Sequence, residues 1–410
     1  MKEFDVVIIG GGASGLASAV SCHDKGIKNI LIIEKESYLG GILLQCIHNG
    51  FGLHKFKTEL CGPEYANRYI EEVNIRNIEF LVDTFVESIS KDKIITYYSK
   101  SDGLVKIKAK SIVCTTGCSE RTREAINIPG SRPSGIYTAG LAQKYINIEG
   151  YFVGKRIFIL GSGDIGLIMA RRMKLEGADV LGVAEIMPYS NGLKRNIVLC
   201  LEDFNIPLYL SHTIKEIIGD KRLEKIIVSK VDKNKQFIKG SEFTIDVDCL
   251  LLSVGLIPSN PLLEKIGVEM DLVTSGPIVD EYNQTSVDGV FCCGNSLQVH
   301  DLVDYVSFEG EVTAGGVYKY LTNQISSTNQ IKVIPGKNIS YVIPQYIKQE
   351  EKTKISFRVK SPLENIVIKV YQNNILIKSI KKQYIYPSVM EILTIDNFNN
   401  GEIVIDIEEF

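Results

Sequence analysis

The sequence predicts an α/β protein in which two strand–turn–helix–strand units precede a C-terminal β-sandwich. Its 410 residues exceed what one hydrophobic core usually serves. Residues 5–36 and 156–186 share one layout: an apolar strand, a glycine-rich turn, a helix, a second apolar strand and an acid. Residues 331–410 instead alternate apolar and polar side chains between Asn-rich turns, which is typical of a small β-sandwich.

The two units repeat in register. Each carries Gly-x-Gly-x-x-Gly, and an acid follows the first glycine 24 residues later, at 34 after 10 and at 185 after 161. The first glycine permits a tight turn, the second lets backbone N–H groups approach a pyrophosphate, and the third lets the helix pack closely on the strand. The helix N-terminus adds partial positive charge. Two copies in this context predict two Rossmann-like dinucleotide-binding units, and the alternative is a pair of turns without a ligand.

The acid at the end of the second strand indicates which nucleotide each unit prefers. A carboxylate there accepts hydrogen bonds from a ribose diol and repels a 2′-phosphate. Glu185 in the second unit therefore favours NAD(H) over NADP(H), although Arg and Lys residues follow it in the sequence.

Each unit is followed by three predicted strands that return to a glycine, Gly117 or Gly255. Each half is thus a βαβ unit plus a strand meander. The predicted strands lie within residues 78–89, 93–100 and 104–117 of the first half and residues 206–217, 225–231 and 243–255 of the second.

Composition excludes several classes of partner. The formal net charge of −3 supplies no basic field for nucleic acid or anionic lipid. The apolar run at the N-terminus is too short for a signal-peptide core, and no stretch approaches the ~20 apolar residues that span a bilayer. We therefore expect a cytoplasmic protein whose nine irregularly spaced cysteines are reduced thiols.

The order of motifs resembles that of the two-dinucleotide-binding-domain flavoproteins, the pyridine nucleotide-disulfide oxidoreductase superfamily. Besides the two glycine units, it includes "TTG" at 115–117, "SVGLIPSNPLLEKIG" at 253–267 and "GPIVDEYNQTSVDGVFCCGN" at 276–295. The resemblance implies FAD in the first unit, NAD(H) in the second, and hydride transfer between nicotinamide and flavin stacked between the two domains. The implied domains are a discontinuous FAD-binding domain of residues 1–117 and 256–325 and an inserted NAD(H)-binding domain of residues 118–255. The resemblance does not cover the tail, whose own pattern predicts the β-sandwich of residues 331–410 and a linker at 327–338.

The resemblance also implies which residues bind the cofactors. The family usually has Gly-Asp at its last motif, whereas this chain has Gly294 and Asn295, whose amide can still bond a ribityl hydroxyl without a charge. The residues implied for FAD are Gly10, Gly12, Ala13, Ser14, Gly15, Glu34, Lys35, Gly41, Gln45, Asn49, Val86, Thr116, Gly117, Gly294 and Asn295. Those implied for NAD(H) are Gly161, Gly163, Asp164, Ile165, Gly166, Glu185 and Gly255.

The family's redox disulfide has no counterpart in this sequence. In the glutathione reductase branch the cysteines fall two and seven positions after the glycine pair, where this chain has Leu43 and His48. In the thioredoxin reductase branch they form Cys-x-x-Cys in the NAD domain, and residues 118–260 contain none. We therefore expect no internal disulfide, so electrons must be exchanged with an external donor or acceptor.

Cys46 and His48 are the candidate catalytic residues. Cys46 could form a charge-transfer thiolate or be oxidised to a sulfenic acid, and His48, like His54, could act as acid or base. The alternative is that Cys46 packs against the flavin and that the histidines are hydrogen-bonded loop residues. No metal is expected, because Cys114, Cys118 and the pair at 292–293 lack ligand spacing and are predicted to be buried strand thiols.

A narrower resemblance concerns the electron acceptor. The segments at 40–66, 128–147, 185–213 and 293–311 resemble oxidoreductases associated with bacterial glycerol-3-phosphate dehydrogenase-like flavoproteins. This implies a second flavoprotein subunit as partner, often with an iron–sulfur component. The alternatives are a free-standing NADH oxidase or NADH:acceptor (quinone) reductase and a non-catalytic nucleotide-binding scaffold.

The motifs do not assign a role to two further regions of the sequence. His300, Asp301 and Asp304 either line an electron-exit or substrate site or are solvated loop residues. The β-sandwich is predicted to be an interaction or dimerisation module, because exposed sheet edges need a covering partner, and a homo-oligomer is one such arrangement.

Overall fold

The computed structural model describes residues 1–324, 330–348, 352–396 and 401–410. The chain forms two compact units. The first comprises Met1–Cys118 and Pro258–Phe410, and the second comprises Ser119–Ile257. The predicted α/β architecture with Rossmann-like sheets is confirmed.

The chain contains both helices and strands up to residue 321, and the C-terminal region is made of strands. Up to the end of the first meander they are β1 Glu3–Ile9, α1 Ala13–Asp24, β2 Ile30–Ile33, β3 Asn49–Phe51, β4 Leu60–Cys61, α2 Gly62–Ile75, β5 Glu79–Leu81, β6 Thr84–Ile89, β7 Ile94–Ser99 and β8 Gly103–Cys114. The next are β9 Cys118–Glu120, β10 Ile136–Thr138, α3 Ala139–Asn147, β11 Arg156–Leu160, α4 Asp164–Leu175, β12 Asp179–Glu185, α5 Lys194–Cys200, β13 Leu208–Leu210, β14 His212–Gly219, β15 Leu223–Lys230, β16 Phe243–Asp246, β17 Cys249–Leu252 and β18 Leu256–Pro258. The last are α6 Pro261–Lys265, β19 Val290–Cys292, α7 Val303–Leu321, β20 Ile331–Pro335, β21 Ile339–Ile343, β22 Tyr346–Ile347, β23 Thr353–Val359, β24 Leu363–Gln372, β25 Ile375–Ile385, β26 Glu391–Ile395 and β27 Ile403–Glu409.

The first unit contains a seven-stranded sheet in the order β5-β2-β1-β8-β7-β6, with β19 also paired to β8. Strands β5, β2, β1, β8 and β19 are parallel to one another. Strand β7 runs antiparallel to β8, and β6 runs antiparallel to β7, which forms the meander. In β1, Val6 and Ile8 pack in one core, which includes residues of α1 and α2, and Val7 and Ile9 pack in another. The strand is apolar on both faces because both faces are covered.

The second unit repeats this arrangement. Its parallel sheet has the order β10-β17-β11-β12-β13, and an antiparallel sheet follows the order β14-β15-β16. Residues of β11 again alternate between two cores, with Ile157 and Ile159 in one and Phe158 and Leu160 in the other.

The C-terminal region contains two sheets, β22-β20-β27-β24-β25 and β21-β23-β26, that enclose one apolar core. We call residues 331–410 the β domain. The predicted linker is wrong over residues 331–335, which form β20, because Ile331 and Val333 are buried in that core and β20 pairs with β27. Residues 327–329 of the linker lie outside the described residues.

Three predicted strands are interrupted. Residues 78–89 break between β5 and β6 at Asp83, whose φ of +48° lies in the left-handed region. Residues 206–217 break at Ser211, whose φ of +55° lies in the left-handed region, which an extended strand does not adopt. Residues 243–255 break between β16 and β17, where the carboxylate of Asp248 accepts hydrogen bonds from the backbone N–H groups of Lys155 and Arg156. Within the described residues, no helix is long and apolar enough to cross a membrane.

Candidate functional site

The first glycine-rich turn connects β1 to α1, and its three glycines have different surroundings. Gly10 has φ +112°, and a Cβ atom there would lie 2.4 Å from the carbonyl oxygen of Thr115. A Cβ atom on Gly15 would lie 2.0 Å from the carbonyl oxygen of Gly10. Gly12 has φ −80°, which any residue adopts, and a Cβ atom there would meet no described heavy atom within 4 Å. Packing therefore explains the first and third glycines, whereas the second borders open space.

The second turn, between β11 and α4, has the same surroundings. Gly161 has φ +99°, and its Cβ atom would lie 2.0 Å from the carbonyl oxygen of Ser253, while one on Gly166 would lie 2.6 Å from the carbonyl oxygen of Gly161. Gly163 has φ −66°, and the described atom nearest to its Cβ position is the Ser253 hydroxyl at 3.7 Å, an ordinary contact. The middle glycine is again the one that the fold does not require.

Two hydroxyl residues that the sequence analysis missed support these turns. Thr115 Oγ1 lies 3.0 Å from the Ile9 carbonyl oxygen and 2.9 Å from that of Gly10. Ser253 occupies the same place in the second unit. The signal was present, because each hydroxyl lies two residues before the glycine that ends its meander. Thr116 donates a hydrogen bond to the Ser259 carbonyl at 2.6 Å, and its place near FAD stays a prediction.

The two acids tie each turn to the end of the neighbouring strand. Glu34 accepts hydrogen bonds from the backbone N–H groups of Gly11 at 2.6 Å and Glu36 at 2.9 Å. Glu185 accepts from the N–H of Ser162 at 3.0 Å and of Met187 at 2.9 Å, and from the Ser162 hydroxyl at 2.7 Å. Because an ionised carboxylate has about four acceptor positions, each acid keeps capacity for a ribose hydroxyl.

The helices after the turns have glycines as their N-cap residues, which have no side chain to bond the first backbone N–H groups. Among the described residues, no side chain caps the N-terminus of α1 or of α4. The first turn of α1 has no acid, so its positive end is directed at the open space beside Gly12. In α4 the first residue is Asp164, whose Oδ1 accepts from the Leu193 N–H at 2.8 Å and from Asn196 Nδ2 at 2.7 Å. Asp164 therefore holds the segment that follows β12, and the partly buried Ile165 comes next to it.

The glycine pair at 40–41 lies against the first turn. Gly40 N–H donates to the Gly11 carbonyl at 2.8 Å. Gly41 has φ +57°, and a Cβ atom there would lie 3.0 Å from Gly12 Cα. The segment continues through the buried Gln45 to Asn49, which is exposed and pairs with Cys61 between β3 and β4.

Cys46 and His48 lie in this segment. The Cys46 thiol donates to the Ile42 carbonyl at 3.3 Å, and burial raises the pKa of the thiol to about 12. His48 Nδ1 lies 3.1 Å from the Asn49 carbonyl oxygen, and its ring is 4.9 Å from that of Phe51. A neutral thiol and a locally bonded imidazole favour the packing alternative, and a catalytic role for either residue stays a prediction.

The last motif meets the first turn of α1. Gly294 has φ +72°, and a Cβ atom there would lie 2.4 Å from Ser14 Oγ. Its N–H donates to Glu309 Oε2 of α7 at 2.5 Å. Asn295 Oδ1 accepts from the His300 N–H at 3.0 Å, so its amide already shapes the loop that follows. The fold thus brings the two ends of the predicted FAD-binding domain together beside Gly12.

Asp304 is buried, and the side chains of His300 and Asp301 are only 2% and 9% exposed, so the solvated-loop alternative is wrong for these residues. The His300 imidazole lies 3.4 Å from Glu309 Oε1, and Asp301 Oδ1 accepts from Arg358 Nη2 at 3.1 Å. Asp304 is 1% exposed and accepts from the backbone N–H groups of Gly52 at 3.3 Å and Lys55 at 2.9 Å.

The remaining predicted residues occupy several environments. Lys35 is exposed. Val86 is buried on the edge strand β6, next to a register irregularity, and two residues earlier Thr84 N–H donates to the Glu34 carbonyl at 3.0 Å. Gly117 and Gly255 have φ of +71° and +104°, so both need glycine for their backbone conformation. Of the four cysteines predicted to be strand thiols, Cys118 is partly exposed and Cys293 follows its strand.

Comparisons with known proteins agree on one family. The family model described as pyridine nucleotide-disulphide oxidoreductase matches residues 4–310. A dihydrolipoyl dehydrogenase of Acholeplasma laidlawii is 28% identical over 331 residues, covering 72% of this chain and 90% of the relative. An NADH dehydrogenase of Bacillus subtilis is 25% identical over 324 residues, covering 78% of this chain and 59% of the relative. The crystal structure of T. acidophilum thioredoxin reductase is 25% identical with a TM-score of 0.64, covering 80% of this chain and all of that one.

Proposed function

Because the chain belongs to the pyridine nucleotide-disulphide oxidoreductase family and is an FAD- and NAD(P)-dependent oxidoreductase, we propose that it transfers hydride between NAD(H) and FAD without an internal redox disulfide. The observation that carries the proposal is the open space beside Gly12, together with the room for a Cβ atom at Gly163, whose nearest neighbour would be 3.7 Å away. Neither packing nor backbone conformation requires glycine at these positions, whereas close approach of a pyrophosphate does.

The first unit's own residues fit FAD. The backbone N–H groups at the start of α1 face the pyrophosphate, and Glu34 holds the turn while accepting from the adenosine ribose. Gly41, Gly117 and Gly294 supply backbone without side chains around the same turn. When bound, the flavin supplies the ring that accepts or donates hydride, and the protein positions it.

The second unit's residues fit NAD(H). The start of α4 receives the pyrophosphate beside Gly163, and Glu185 accepts from the ribose diol of the adenosine. A 2′-phosphate at this place would meet the Glu185 carboxylate, so we propose a preference for NADH over NADPH.

We further propose that electrons leave or enter the chain through a second flavoprotein, a glycerol-3-phosphate dehydrogenase-like dehydrogenase that can carry an iron–sulfur component. The support is chemical. Neither cysteine pair of the family's known branches occurs at its usual spacing in this sequence, and burial raises the pKa of Cys46 to about 12. In this proposal no internal dithiol relays the electrons, and an external redox partner exchanges them.

A free-standing NADH oxidase or NADH:acceptor reductase is the second candidate. It is favoured by relatives that carry the names NADH dehydrogenase and NADH oxidase, each 24–25% identical to this chain. A non-catalytic scaffold is the candidate of another class, and the two complete glycine turns with their acids argue against it.

Anaerobic titration of the purified protein with NADH and NADPH, followed by flavin absorbance near ~450 nm, tests the proposal. We expect NADH to bleach the flavin at lower concentration than NADPH. Gly163→Ala should retain FAD but need more NADH, because its Cβ occupies the space for the pyrophosphate. Bound FAD that neither nucleotide reduces would contradict hydride transfer.

A second experiment separates the two acceptors. Affinity purification from the native host, followed by mass spectrometry and a flavin assay, is expected to recover a second flavoprotein in constant ratio. Rapid NADH-dependent O2 or quinone reduction by the chain alone, with no second flavoprotein recovered, would favour the free-standing enzyme instead.

A further inference from the structure

The β domain contacts the rest of the first unit through buried groups. Ile343 of β21 packs in the core that contains Val279 and Leu297. Val279 N–H donates to Gln345 Oε1 at 3.0 Å, and Lys348 Nζ lies 2.9 Å from Asp280 Oδ2, a carboxylate whose side chain is 2% exposed. Contacts of this kind belong to a fixed interface, because a buried carboxylate left without its partner is costly.

Arg358 of β23 uses its whole guanidinium group in a second contact region. Nη2 donates to Asp301 Oδ1 at 3.1 Å and to the Val299 carbonyl at 3.0 Å. Nη1 donates to the Pro387 carbonyl at 3.0 Å, and Nε donates to the Tyr341 hydroxyl at 3.1 Å. A planar group with five N–H donors holds its acceptors in one arrangement, so Arg358 fixes residues 299–301 on the β domain.

Ser356, two residues earlier on the same strand, starts a path to the last FAD motif. Its hydroxyl accepts from Gln298 Nε2 at 3.0 Å, and the same Nε2 donates to Glu309 Oε1 at 3.0 Å. Glu309 Oε2 accepts from the Gly294 N–H at 2.5 Å. The His300 imidazole lies 3.4 Å from Glu309 Oε1, so the Glu309 carboxylate contacts both the turn of Gly294 and the loop that contains His300.

We propose that the β domain is a structural part of the flavin site, with Arg358 and Ser356 acting as positioning residues for the turn of Gly294 and Asn295. This rests on the proposed function, in which that turn contacts FAD. Arg358 holds the loop at 299–301, Ser356 holds Gln298, and Glu309 transmits both constraints to the Gly294 N–H. The β domain therefore tunes how tightly and in what orientation the flavin is held.

The test uses the full chain with Arg358→Ala and Ser356→Ala, and with Lys354→Ala as a matched control. Lys354 is exposed and lies on the same strand at the same alternation, two residues before Ser356. FAD dissociation constants are measured by adding FAD to the apoprotein, and the visible circular dichroism of bound flavin reports its orientation. We expect Arg358→Ala to weaken FAD binding about tenfold or more and to change the visible dichroism, Ser356→Ala to have a smaller effect, and Lys354→Ala to have none.

Arg358→Lys is the conservative variant. Lysine keeps the charge opposite Asp301 but lacks the planar donors, so partial recovery of FAD affinity is expected. Asp301→Asn tests the same contact by removing the negative charge that Arg358 faces. Folded variants that bind FAD with wild-type affinity and wild-type visible dichroism would overturn the inference. If Arg358→Ala does not fold, FAD affinity and dichroism are measured on Arg358→Lys and Asp301→Asn, and these two variants test the inference.

Failure of the proposed function looks different in this experiment. If the wild-type chain itself binds no FAD, the flavin assignment is wrong. If the wild type binds FAD and is reduced by NADH while all the variants match it, only the role of the β domain is wrong.

Discussion

Individual glycines of one motif have separate physical roles in this protein. The local packing requires glycine at positions 10 and 15, because a Cβ atom on Gly10 or Gly15 would overlap a backbone carbonyl oxygen. Gly12 has an ordinary φ and open space in the described chain. We therefore predict that stability and cofactor binding depend on different glycines of the same turn.

Gly12→Ala is expected to weaken FAD binding by more than about tenfold while changing the free energy of unfolding of the apoprotein by less than about 1 kcal/mol. Gly15→Ala is the contrast, because its methyl group must displace the Gly10 carbonyl, and it should lower that free energy by about 1–3 kcal/mol. Urea unfolding and FAD titration measure the two effects. Equal FAD affinity for Gly12→Ala and the wild type would show that the open space is not the pyrophosphate site.

Cys46 is expected to remain a neutral thiol near neutral pH, because burial raises its pKa to about 12. In the folded protein its alkylation by iodoacetamide should therefore increase as pH rises toward that value, since only the thiolate reacts. Cys46→Ser should keep the wild-type rate of flavin reduction by NADH in stopped-flow measurements. A long-wavelength charge-transfer band that disappears in Cys46→Ser would instead establish a thiolate beside the flavin.

At the scale of elements, α7 organises two segments that are distant in sequence. Glu309 binds the Gly294 turn, and Asp304 in the first helical turn binds the loop that precedes β4. Lys55 from that loop pairs with Glu311, and Tyr65 of α2 lies 2.7 Å from Ser307 Oγ. One helix thus fixes the loop carrying His54 as well as the last FAD motif.

Asp304→Asn is expected to release this loop. The asparagine amide can accept one of the two backbone hydrogen bonds but directs donors at the other, so the free energy of unfolding should fall by about 1–3 kcal/mol. Trypsin should cleave sooner after Lys55 or Lys57. Asp92→Asn, at an exposed turn residue, is the control. Unchanged cleavage in Asp304→Asn would show that other contacts hold the loop.

At the scale of the molecule, each compact unit has its own apolar cores. The second unit is continuous in sequence, from Ser119 to Ile257, and contains the whole Gly161 to Gly166 turn with Glu185. The first unit is discontinuous. Its β domain shares a core with the rest of the unit through Ile343 and contacts it through the partly buried ion pair of Arg358 with Asp301.

The isolated fragment of residues 119–257 is therefore expected to fold cooperatively and bind NADH. Circular dichroism during thermal unfolding and the quenching of NADH fluorescence measure these properties, with Gly163→Ala in the same fragment as the binding control. A fragment without a cooperative transition would mean that the second unit depends on the rest of the chain.

Local spacing was sufficient to predict the repeated units. The glycines, the acids and the alternation of apolar residues lie within about thirty residues of one another, because a βαβ unit is a local structure. The same spacing predicted the meanders and most β-domain strands. It failed at Asp83 and Ser211, where a positive φ divides a predicted strand, and at β20, where the predicted linker forms a strand because Ile331 and Val333 are buried.

The sequence by itself therefore determined the α/β class, the two glycine-rich turns and the absence of a redox cysteine pair at the family's usual spacings. Only the tertiary structure decided that Thr115 and Ser253 support the turns, that Gly294 meets Ser14, and that Arg358 of the β domain holds the loop after the last motif. The physical reason is separation along the chain. Contacts between groups more than fifty residues apart leave no periodic pattern, and they exist only once the sheets and helices have packed.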